Sequence, residues 1–392
     1  MESLLANPSA KLSISNPSFT SRRAILTESL HFAPRYFSNS IRMTSGLSPL
    51  RCTNSPEDKE ISSVASAMYE YQTDEFINAK EVREWESGKS INQIAANQGI
   101  TIRRSCRPAP PAGGGMVPRN ILEQIIWDKE VEVTQFKQRM PRKNVEHLIK
   151  DASPTRDFIR ALKDSYLRTG VPALIAEVKK ASPSRGILRE NFDPVEIART
   201  YEQNGAACLS ILTDTKYFQG SFENLEKVRK AGIKCPLLCK EFIIDLWQIY
   251  YARAKGADAV LLIAGVLPDI DIKYMLKTCR ELGLTALIEV YNERELDRVL
   301  KINGVQLIGI NNRNLENFVV DISNTQKLLE NRIQVIKDKD ITVVGESGLF
   351  TPDDVKFVHD SGVKAVLVGE SLIKQEDPGL AIRGLFGKDI SK

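Results

Sequence analysis

Eight short apolar segments alternate with helix-like segments from residue 173 to the end of this 392-residue chain, and this alternation limits the possible folds more than any other feature. The segments span residues 173–178, 208–214, 236–242, 259–267, 285–290, 307–313, 342–347 and 365–371. Each has the length of a strand and is far too short to be a membrane-spanning helix. Strands separated by helices form parallel sheets with right-handed crossovers, so we predict an α/β fold.

The predicted helices have recognisable ends. Six of the seven crossovers carry a glycine between the helix and the next strand, where a left-handed helix cap favours that residue: Gly205, Gly232, Gly256, Gly283, Gly304 and Gly362. Helix starts at Asp193, Asn292 and Thr351 pair a capping residue with an acidic residue three positions later. We predict a closed (β/α)₈ TIM barrel. The alternative is an open doubly wound sheet, which is disfavoured because no glycine-rich dinucleotide turn follows the first strand.

The chain is longer than a barrel of roughly 250 residues requires. Residues 1–53 are rich in serine and basic residues, with Glu2 and Glu28 as the acids, which predicts an organelle transit peptide. We favour a plastid transit peptide over a mitochondrial one, and an ordinary disordered tail is the alternative. Residues 54–117 end in a Pro/Gly-rich run, and we expect a largely disordered linker with room for one or two short helices at 79–98. Residues 118–392 form the predicted catalytic domain. It begins with an extra helix over 120–140, which is capped by Asn120 and is expected to cover the bottom of the barrel.

Composition excludes several classes of function. Lys and Arg number 54 against 50 Asp and Glu, and a net charge of +4 over this length does not favour nucleic acid as a partner. Six scattered cysteines do not predict a secreted disulfide framework, and no apolar stretch approaches the ~20 residues of a membrane helix. His31, His147 and His359 lie away from the strand ends, and Cys235 and Cys239 lack a second ligand pair. We therefore predict no metal site and interpret these cysteines as core residues.

Charged and polar residues concentrate where the predicted strands end. They are Glu177, Lys179, Lys240, Glu289, Asn311, Arg313 and Glu346, and the aromatic Phe242 shares the parity of Lys240. The carboxyl ends of barrel strands form the active site and alternate residues point inward, so these side chains should meet in one cup. An unpaired buried charge costs several kcal/mol, which implies that acids and bases pair with one another there. A purely structural ion network is the alternative interpretation.

A phosphate site is predicted from two further strand ends. Strand 7 ends in the sequence Gly-Glu-Ser-Gly at 345–348, and strand 8 ends in Gly-Glu-Ser at 369–371. Barrels offer backbone N–H groups and a short helix N-terminus to phosphate at these two places.

Six segments together resemble the strand-end signatures of the indole-3-glycerol-phosphate synthase family, in that family's order. They lie at 175–186, 217–221, 239–242, 286–290, 309–315 and 345–348, and the resemblance covers roughly residues 120–387. It implies ring closure of 1-(2-carboxyphenylamino)-1-deoxyribulose 5-phosphate to indole-3-glycerol phosphate, with loss of carbon dioxide and water. It also implies that no cofactor is used and that the protein is a monomer. The leader and linker match the layout of plant plastid forms, which implies a stromal location.

The resemblance also implies roles for particular residues. Lys240 matches the general acid and Glu289 the base, while Glu177 and Asn311 match groups that hold the ribulose hydroxyls and orient the lysines. Lys179 and Ser182 match partners of the anthranilate carboxylate and the phosphate side, and Lys179 is a second candidate for the acid. Exchanges of role among Lys179, Lys240 and Glu289 remain open because their protonation is coupled.

The remaining members of the predicted site line the cup or hold the phosphate. Glu346 and Ser347 are expected to line the cup, and Phe218 and Phe242 to sandwich the aromatic ring. The phosphate grip matches Arg313, Gly348, Gly369 and the backbone of Glu370, whose carboxylate would repel phosphate if it faced inward. We expect residues 181–186 to form a mobile lid.

Three rival functions are compatible with a phosphate-binding barrel. Phosphoribosylanthranilate isomerase would have a cysteine at the end of strand 1 and an aspartate at the end of strand 6, where this chain has Glu177 and Asn311. An aldolase would form a Schiff base on Lys240 or Lys179. A non-catalytic barrel that binds phosphometabolites would be expected to have lost part of the catalytic set.

Overall fold

The structure is a computed structural model that describes residues 91–105 and 117–391. The predicted transit peptide, 1–53, and most of the predicted linker lie outside the described residues.

Eight parallel strands close into a barrel, as the alternating pattern predicts. They are β1 (Ala173–Val178), β2 (Cys208–Leu212), β3 (Leu237–Lys240), β4 (Ala259–Ile263), β5 (Thr285–Val290), β6 (Leu307–Asn311), β7 (Thr342–Glu346) and β8 (Ala365–Val368). Each strand pairs with its neighbours in sequence, and β8 pairs with β1 to close the ring. This closure excludes the open doubly wound sheet. Most of the strands end a few residues earlier than predicted, because the polar residues after them turn into the loops at the barrel mouth.

Helices surround the barrel and flank its two ends. The described residues form α1 (Ile91–Asn97), α2 (Ile121–Arg139), α3 (Arg142–Lys150), α4 (Phe158–Thr169), α5 (Pro194–Gln203), α6 (Phe222–Lys230), α7 (Leu246–Ala254), α8 (Asp269–Glu281), α9 (Glu293–Val299), α10 (Ser323–Leu329), α11 (Ile333–Asp338), α12 (Pro352–Asp360), α13 (Glu370–Ile373) and α14 (Pro378–Phe386).

The predicted helix caps are confirmed. All six crossover glycines have positive φ angles, between 70° and 105°, which side chains with a Cβ rarely adopt. The side chains of Asp193, Asn292 and Thr351 each accept a hydrogen bond from a backbone N–H in the first turn of α5, α9 and α12. Asn120 does the same for α2 by accepting from the N–H of Glu123. Local capping chemistry therefore sets most of the helix boundaries.

The extra helix α2 lies at the carboxyl ends of the strands and not at the barrel's bottom, so that prediction was wrong. Lys129 of α2 pairs with Asp214 and Glu241, which directly follow β2 and β3. The opposite end is closed by α4 instead. Its Phe158 packs in the interior cluster with Ala173, the first residue of β1, and the thiol of Cys208 at the start of β2 donates to the Phe158 carbonyl at 3.7 Å. Sequence periodicity shows that a helix has an apolar face but not which end of a barrel it covers.

Residues 91–105 are ordered against the barrel, which corrects the expectation of a largely disordered linker for this stretch. Ile91, Ile100 and Ile102 are buried. The guanidinium of Arg103 donates to the Glu123 carboxylate of α2 at 2.9 Å and 3.0 Å, and Glu123 is fully buried. These charge-assisted bonds hold the Glu123 pKa well below its usual value against the effect of burial. Arg103 and Arg104, which lie in the predicted linker, therefore pair with acidic residues of α2.

The packing of α4 makes a stability prediction. Phe158 is 0% exposed, and Phe158→Ala should lower the free energy of unfolding by about 3–5 kcal/mol because a large cavity opens in the barrel floor. Leu167 lies on the same helix at 79% exposure, and Leu167→Ala should change it by no more than about 0.5 kcal/mol. Urea denaturation followed by tryptophan fluorescence measures both. Equal losses for the two variants would contradict the assignment of α4 as the floor.

Candidate active site

All fourteen residues predicted for the site line one cavity at the carboxyl ends of the strands. They are Glu177, Lys179, Ser182, Phe218, Lys240, Phe242, Glu289, Asn311, Arg313, Glu346, Ser347, Gly348, Gly369 and Glu370. We call this cavity the cup. It lies where parallel barrels carry their active sites. Strand parity and strand ends predicted the charged members of this set, and the family resemblance predicted the others.

Lys240 lies between two carboxylates in the cup. Its Nζ is 2.8 Å from Glu346 Oε2 and 3.7 Å from Glu289 Oε2. Burial by itself lowers the pKa of Lys240, but Glu346, Glu289 and Glu177 outweigh that effect and raise it above the usual value. Lys240 is therefore held as a cation, with a proton available for donation.

Glu346 has a different environment from that of an ordinary surface glutamate. Its side chain is 1% exposed, and burial raises its pKa to about 7. Lys240 opposes this shift, whereas the negative charge of Glu289 adds to it. Glu346 Oε1 has no hydrogen-bond partner among the described residues. The carboxyl group can thus change its protonation state near neutral pH.

Glycine at position 309 provides the space for Glu346. On β6, Gly309 pairs in register with Glu289 on β5, and a Cβ atom at 309 would collide with Glu346 Oε1. Gly369 has the same role for Glu177, since its Cβ would come within 2.8 Å of Glu177 Oε2. These two glycines leave room for a carboxylate from the neighbouring strand, which would have to shift if either position carried a Cβ atom.

A second lysine and glutamate pair lies at the end of β1. Lys179 Nζ donates to Glu177 Oε2 at 3.2 Å, and both side chains are largely buried. The cup therefore holds both lysines and all three glutamates that the strand-end pattern predicts, namely Lys179, Lys240, Glu177, Glu289 and Glu346. Asn311, in register with Glu346, accepts a hydrogen bond from the N–H of Arg313 at 2.9 Å, which fixes the turn after β6.

The predicted phosphate side contains a carboxylate that contacts its arginine. Glu370 Oε2 lies 3.4 Å from Arg313 Nη2, and the other oxygen accepts from Lys374 at 2.7 Å and lies 3.3 Å from Arg185 Nε. Burial raises the Glu370 pKa, but Lys374, Arg185 and Arg313 together lower it below the usual value. The Glu370 side chain, which was not part of the predicted phosphate grip, is thus held by Arg313, Lys374 and Arg185 at the edge of the cup.

Phe218 and Phe242 form one wall of the cup and not an open slot. Their ring centroids are 6.0 Å apart at an interplanar angle of 40°, which is direct contact. A ring held between two others would need them on the order of 9 Å apart, about twice the distance of a single ring pair. The expected sandwich is therefore not formed in this structure, and an aromatic ligand would lie against the pair.

The segment predicted as a lid folds as a short hairpin at the mouth of the cup. Ala181–Ser182 pairs antiparallel with Gly186–Ile187, and Ala181 N–H donates to the Phe218 carbonyl at 3.2 Å. Gly186 has a φ of 67°, so proline at this position would break the turn and not stiffen it. Mobility of this hairpin stays a prediction.

Sequence reasoning missed other lining residues. Leu315, Phe318 and Phe350 lie in loops after β6 and β7 and carry no periodic signal. Leu212, Leu261 and Ile263 also line the cup. Leu212 ends β2, and Leu261 and Ile263 share one face of β4, so the strand parity that located the charged residues could have found them. The cysteines were interpreted correctly: Cys235 and Cys239 are buried free thiols, and burial raises the pKa of Cys235 to about 12.

Comparison with known proteins assigns the family. The family model described as "Indole-3-glycerol phosphate synthase" matches residues 122–385. The chain is 58% identical over 327 residues to the chloroplastic indole-3-glycerol phosphate synthase of Arabidopsis thaliana, across 80% of this chain and 81% of that relative. It is 56% identical over 269 residues to the synthase of Microcystis aeruginosa, across 69% of this chain and 90% of the relative. It is also 56% identical over 274 residues to the synthase of Rippkaea orientalis, across 69% of this chain and 91% of the relative.

The plant relative is chloroplastic, which confirms the expected plastid location. The matched region contains most of α2 and the complete barrel, including every residue of the cup. With its fold, its cup and these relatives in agreement, the chain belongs to the indole-3-glycerol phosphate synthase family of carboxy-lyases.

Proposed function

We propose that the cup carries out the synthase reaction with Lys240 as general acid and Glu289 as general base. The substrate is a small phosphorylated compound, 1-(2-carboxyphenylamino)-1-deoxyribulose 5-phosphate. The observation that carries these roles is the placement of Lys240 Nζ, 2.8 Å from Glu346 and 3.7 Å from Glu289, inside a largely buried site.

Ring closure needs a proton donor at the ribulose carbonyl. The ring carbon that bears the carboxylate attacks the carbonyl carbon, and the carbonyl oxygen becomes a hydroxyl group. Lys240, a cation stabilised by two carboxylates, supplies that proton and stabilises the developing negative charge on the oxygen. The bond to the carboxyl group then breaks, and carbon dioxide leaves while its electron pair returns to the ring.

Aromatisation needs a proton acceptor. The hydroxyl formed in the first step takes a proton from Lys179, the second candidate for the acid, and leaves as water, while the ring system gives up a proton to form indole-3-glycerol phosphate. The position of Glu289 in the same cup, with Oε2 3.7 Å from Lys240 Nζ, supports it as the acceptor of that proton. Across both steps, the substrate carboxylate and one proton yield one indole-3-glycerol phosphate, one carbon dioxide and one water.

The other cup residues bind and orient the substrate. Lys179, paired with Glu177, suits the anthranilate carboxylate and is the second candidate for the acid. Asn311 and Glu177 suit the ribulose hydroxyls, and Phe218 with Phe242 offers an apolar wall to the aromatic ring. Arg313, Ser182, Ser347 and the backbone at Gly348, Gly369 and Glu370 line the opposite side of the cup and suit the phosphate.

The rivals fit the site less well. An isomerase would need a cysteine and an aspartate where Glu177 and Asn311 lie in the cup. A Schiff-base aldolase needs an unprotonated lysine, whereas the carboxylates around Lys240 raise its pKa. A non-catalytic barrel would be expected to lack part of the acid and base set, which is complete here. A monomer without nucleic-acid or membrane partners remains our proposal; within residues 91–105 and 117–391, no helix combines the length and apolarity that crossing a bilayer requires.

The role of Lys240 gives a direct test. Lys240→Ala should lower kcat by on the order of 10²–10⁴-fold, the usual contribution of a general acid, while KM changes by less than about threefold. Steady-state kinetics with the carboxyphenylamino ribulose phosphate, followed by indole fluorescence, measures both constants. Lys255→Ala, which removes an ion pair to Glu226 on the outside of the barrel, should leave both unchanged. A rise in KM with unchanged kcat would show that Lys240 only binds substrate.

The pKa of Glu346 predicts the pH dependence of the free enzyme. Below about pH 7 the carboxyl group takes up a proton and loses its charge, so Lys240 moves toward Glu289 and ties up the base. We therefore expect kcat/KM to rise as the pH increases through about 7. Glu346→Gln, which mimics the protonated form, should have low activity and no inflection there.

The same shift affects stability with the opposite slope. Because the folded pKa exceeds the usual value of 4.5, folding binds a proton between about pH 4.5 and 7. The stabilisation is complete below pH 4.5 and is lost as the pH rises through about 7. The Tm difference between wild type and Glu346→Gln across this pH range measures this contribution to stability.

For the kinetic prediction, an unchanged inflection in the kcat/KM profile of Glu346→Gln would contradict the assignment of that inflection to Glu346.

A further inference from the structure

We propose that Lys129, on the helix α2 that precedes the barrel, is a positioning residue for the aromatic half of the cup. This proposal rests on the proposed roles of Lys240, Phe218 and Phe242. It adds Lys129, which lies outside the cup, to the residues that set the geometry of the site. The proposal starts from a buried ion cluster that the reaction does not use directly, formed by Lys129, Asp214 and Glu241.

The cluster is compact and closed to solvent. Lys129 Nζ lies 2.9 Å from Asp214 Oδ2, 2.9 Å from Glu241 Oε1 and 2.6 Å from Glu132 Oε2. Lys129 is 2% exposed, and Asp214 and Glu241 are 1% and 2% exposed. Burial lowers the pKa of Lys129, but the three carboxylates outweigh this effect and raise it, so the lysine is charged.

Each carboxylate of the cluster holds a segment that carries a cup residue. Asp214 Oδ1 accepts from the N–H groups of Tyr217 and Phe218 at 2.7 Å and 3.2 Å, which forms the turn that brings Phe218 to the cup. Glu241 Oε1 accepts from the N–H of Phe242 at 2.8 Å, and Oε2 accepts from Thr213 at 2.9 Å. Lys129 thus joins the loop after β2 to the end of β3 through its two carboxylate partners, in addition to the direct Thr213–Glu241 hydrogen bond.

Glu241 also follows Lys240 directly in the chain. Lys240 ends β3 and directs its Nζ to Glu346 in the cup, whereas Glu241 borders the cup and directs its Oε1 to Lys129 of α2. Fixing Glu241 therefore fixes the backbone from which Lys240 and Phe242 extend. Without the lysine charge, two buried carboxylates would repel each other and move the two segments apart.

The geometry separates the two halves of the cup. Phe218, Lys240 and Phe242 depend on the Lys129 cluster, whereas Arg313 takes its contacts from Asn311, Ser184, Phe318 and Glu370 on other segments. Loss of Lys129 should accordingly weaken binding of the aromatic ring and slow turnover, but leave phosphate binding intact. A residue that only stabilised the fold would affect both halves alike.

The experiment compares Lys129→Met with Lys137→Met. Lys137 lies on the same helix and pairs with Asp245 at 2.7 Å, but it is partly exposed and pairs with neither Asp214 nor Glu241. The measurements are kcat and KM for the carboxyphenylamino ribulose phosphate, with inhibition constants for 2-aminobenzoate, a probe of the ring site, and for inorganic phosphate. For Lys129→Met we expect at least a tenfold loss of kcat and at least a tenfold weaker inhibition by 2-aminobenzoate, with phosphate inhibition within twofold of wild type. Lys137→Met should stay within twofold in every constant.

Two results would overturn the proposal. One is a Lys129→Met enzyme that behaves like Lys137→Met, and the other is equal weakening of both inhibitors. If Lys129→Met does not fold, the double variant Lys129→Met/Glu241→Gln, which removes one charge of each sign from the cluster, is judged by the same two criteria. Either negative result leaves the tests of Lys240 and Glu346 untouched, because those use the wild-type helix.

Discussion

The active site depends on a lysine cation buried between two glutamates. The carboxylates of Glu346 and Glu289 favour the charged form of Lys240 in a largely buried site and raise its pKa. Burial and the charge of Glu289 raise the pKa of Glu346 to about 7, whereas Lys240 lowers it. The charges of Lys240 and Glu346 therefore depend on each other, which supports the proposed role of Lys240 as proton donor.

The barrel supplies the geometry that this cluster needs. Lys240, Glu289 and Glu346 come from three different strands, β3, β5 and β7, and the closed parallel sheet brings their ends to one mouth. Space at the centre comes from Gly309 on β6, whose missing Cβ leaves room for the Glu346 carboxylate. A Cβ atom at position 309 would displace the Glu346 carboxylate, which pairs with Lys240. The absence of a side chain at this position therefore supports the ion pair in the cup.

The sequence predicted the features that depend on local rules. Strand parity located Glu177, Lys179 and Lys240 in the cup, and capping chemistry located the helix ends, because both depend on residues close in sequence. The sequence led to the wrong end of the barrel for α2. It also did not predict that residues 91–105 pack against α2 and the barrel. Those features depend on pairs such as Lys129 with Glu241 or Arg103 with Glu123, whose members are separated by many residues and obey no period. The predicted sandwich of an aromatic ring between Phe218 and Phe242 was wrong for a related reason. The sequence indicates that the two rings lie in the same site but not how far apart they are.

These long-range pairs also change where the catalytic domain begins. The barrel alone contains every residue that lines the cup, yet the turn carrying Phe218 and the segment carrying Lys240 are joined through Lys129, which precedes the first strand. Residues 91–105 in turn hold α2 through Arg103 and the buried Glu123. A series of ion pairs and backbone hydrogen bonds therefore extends from the segment before the barrel to Lys240 in the cup. Buried pairs contribute little net stability, and we propose that these pairs act instead by holding the loops in one arrangement. On this proposal, residues that do not line the cup set part of its geometry.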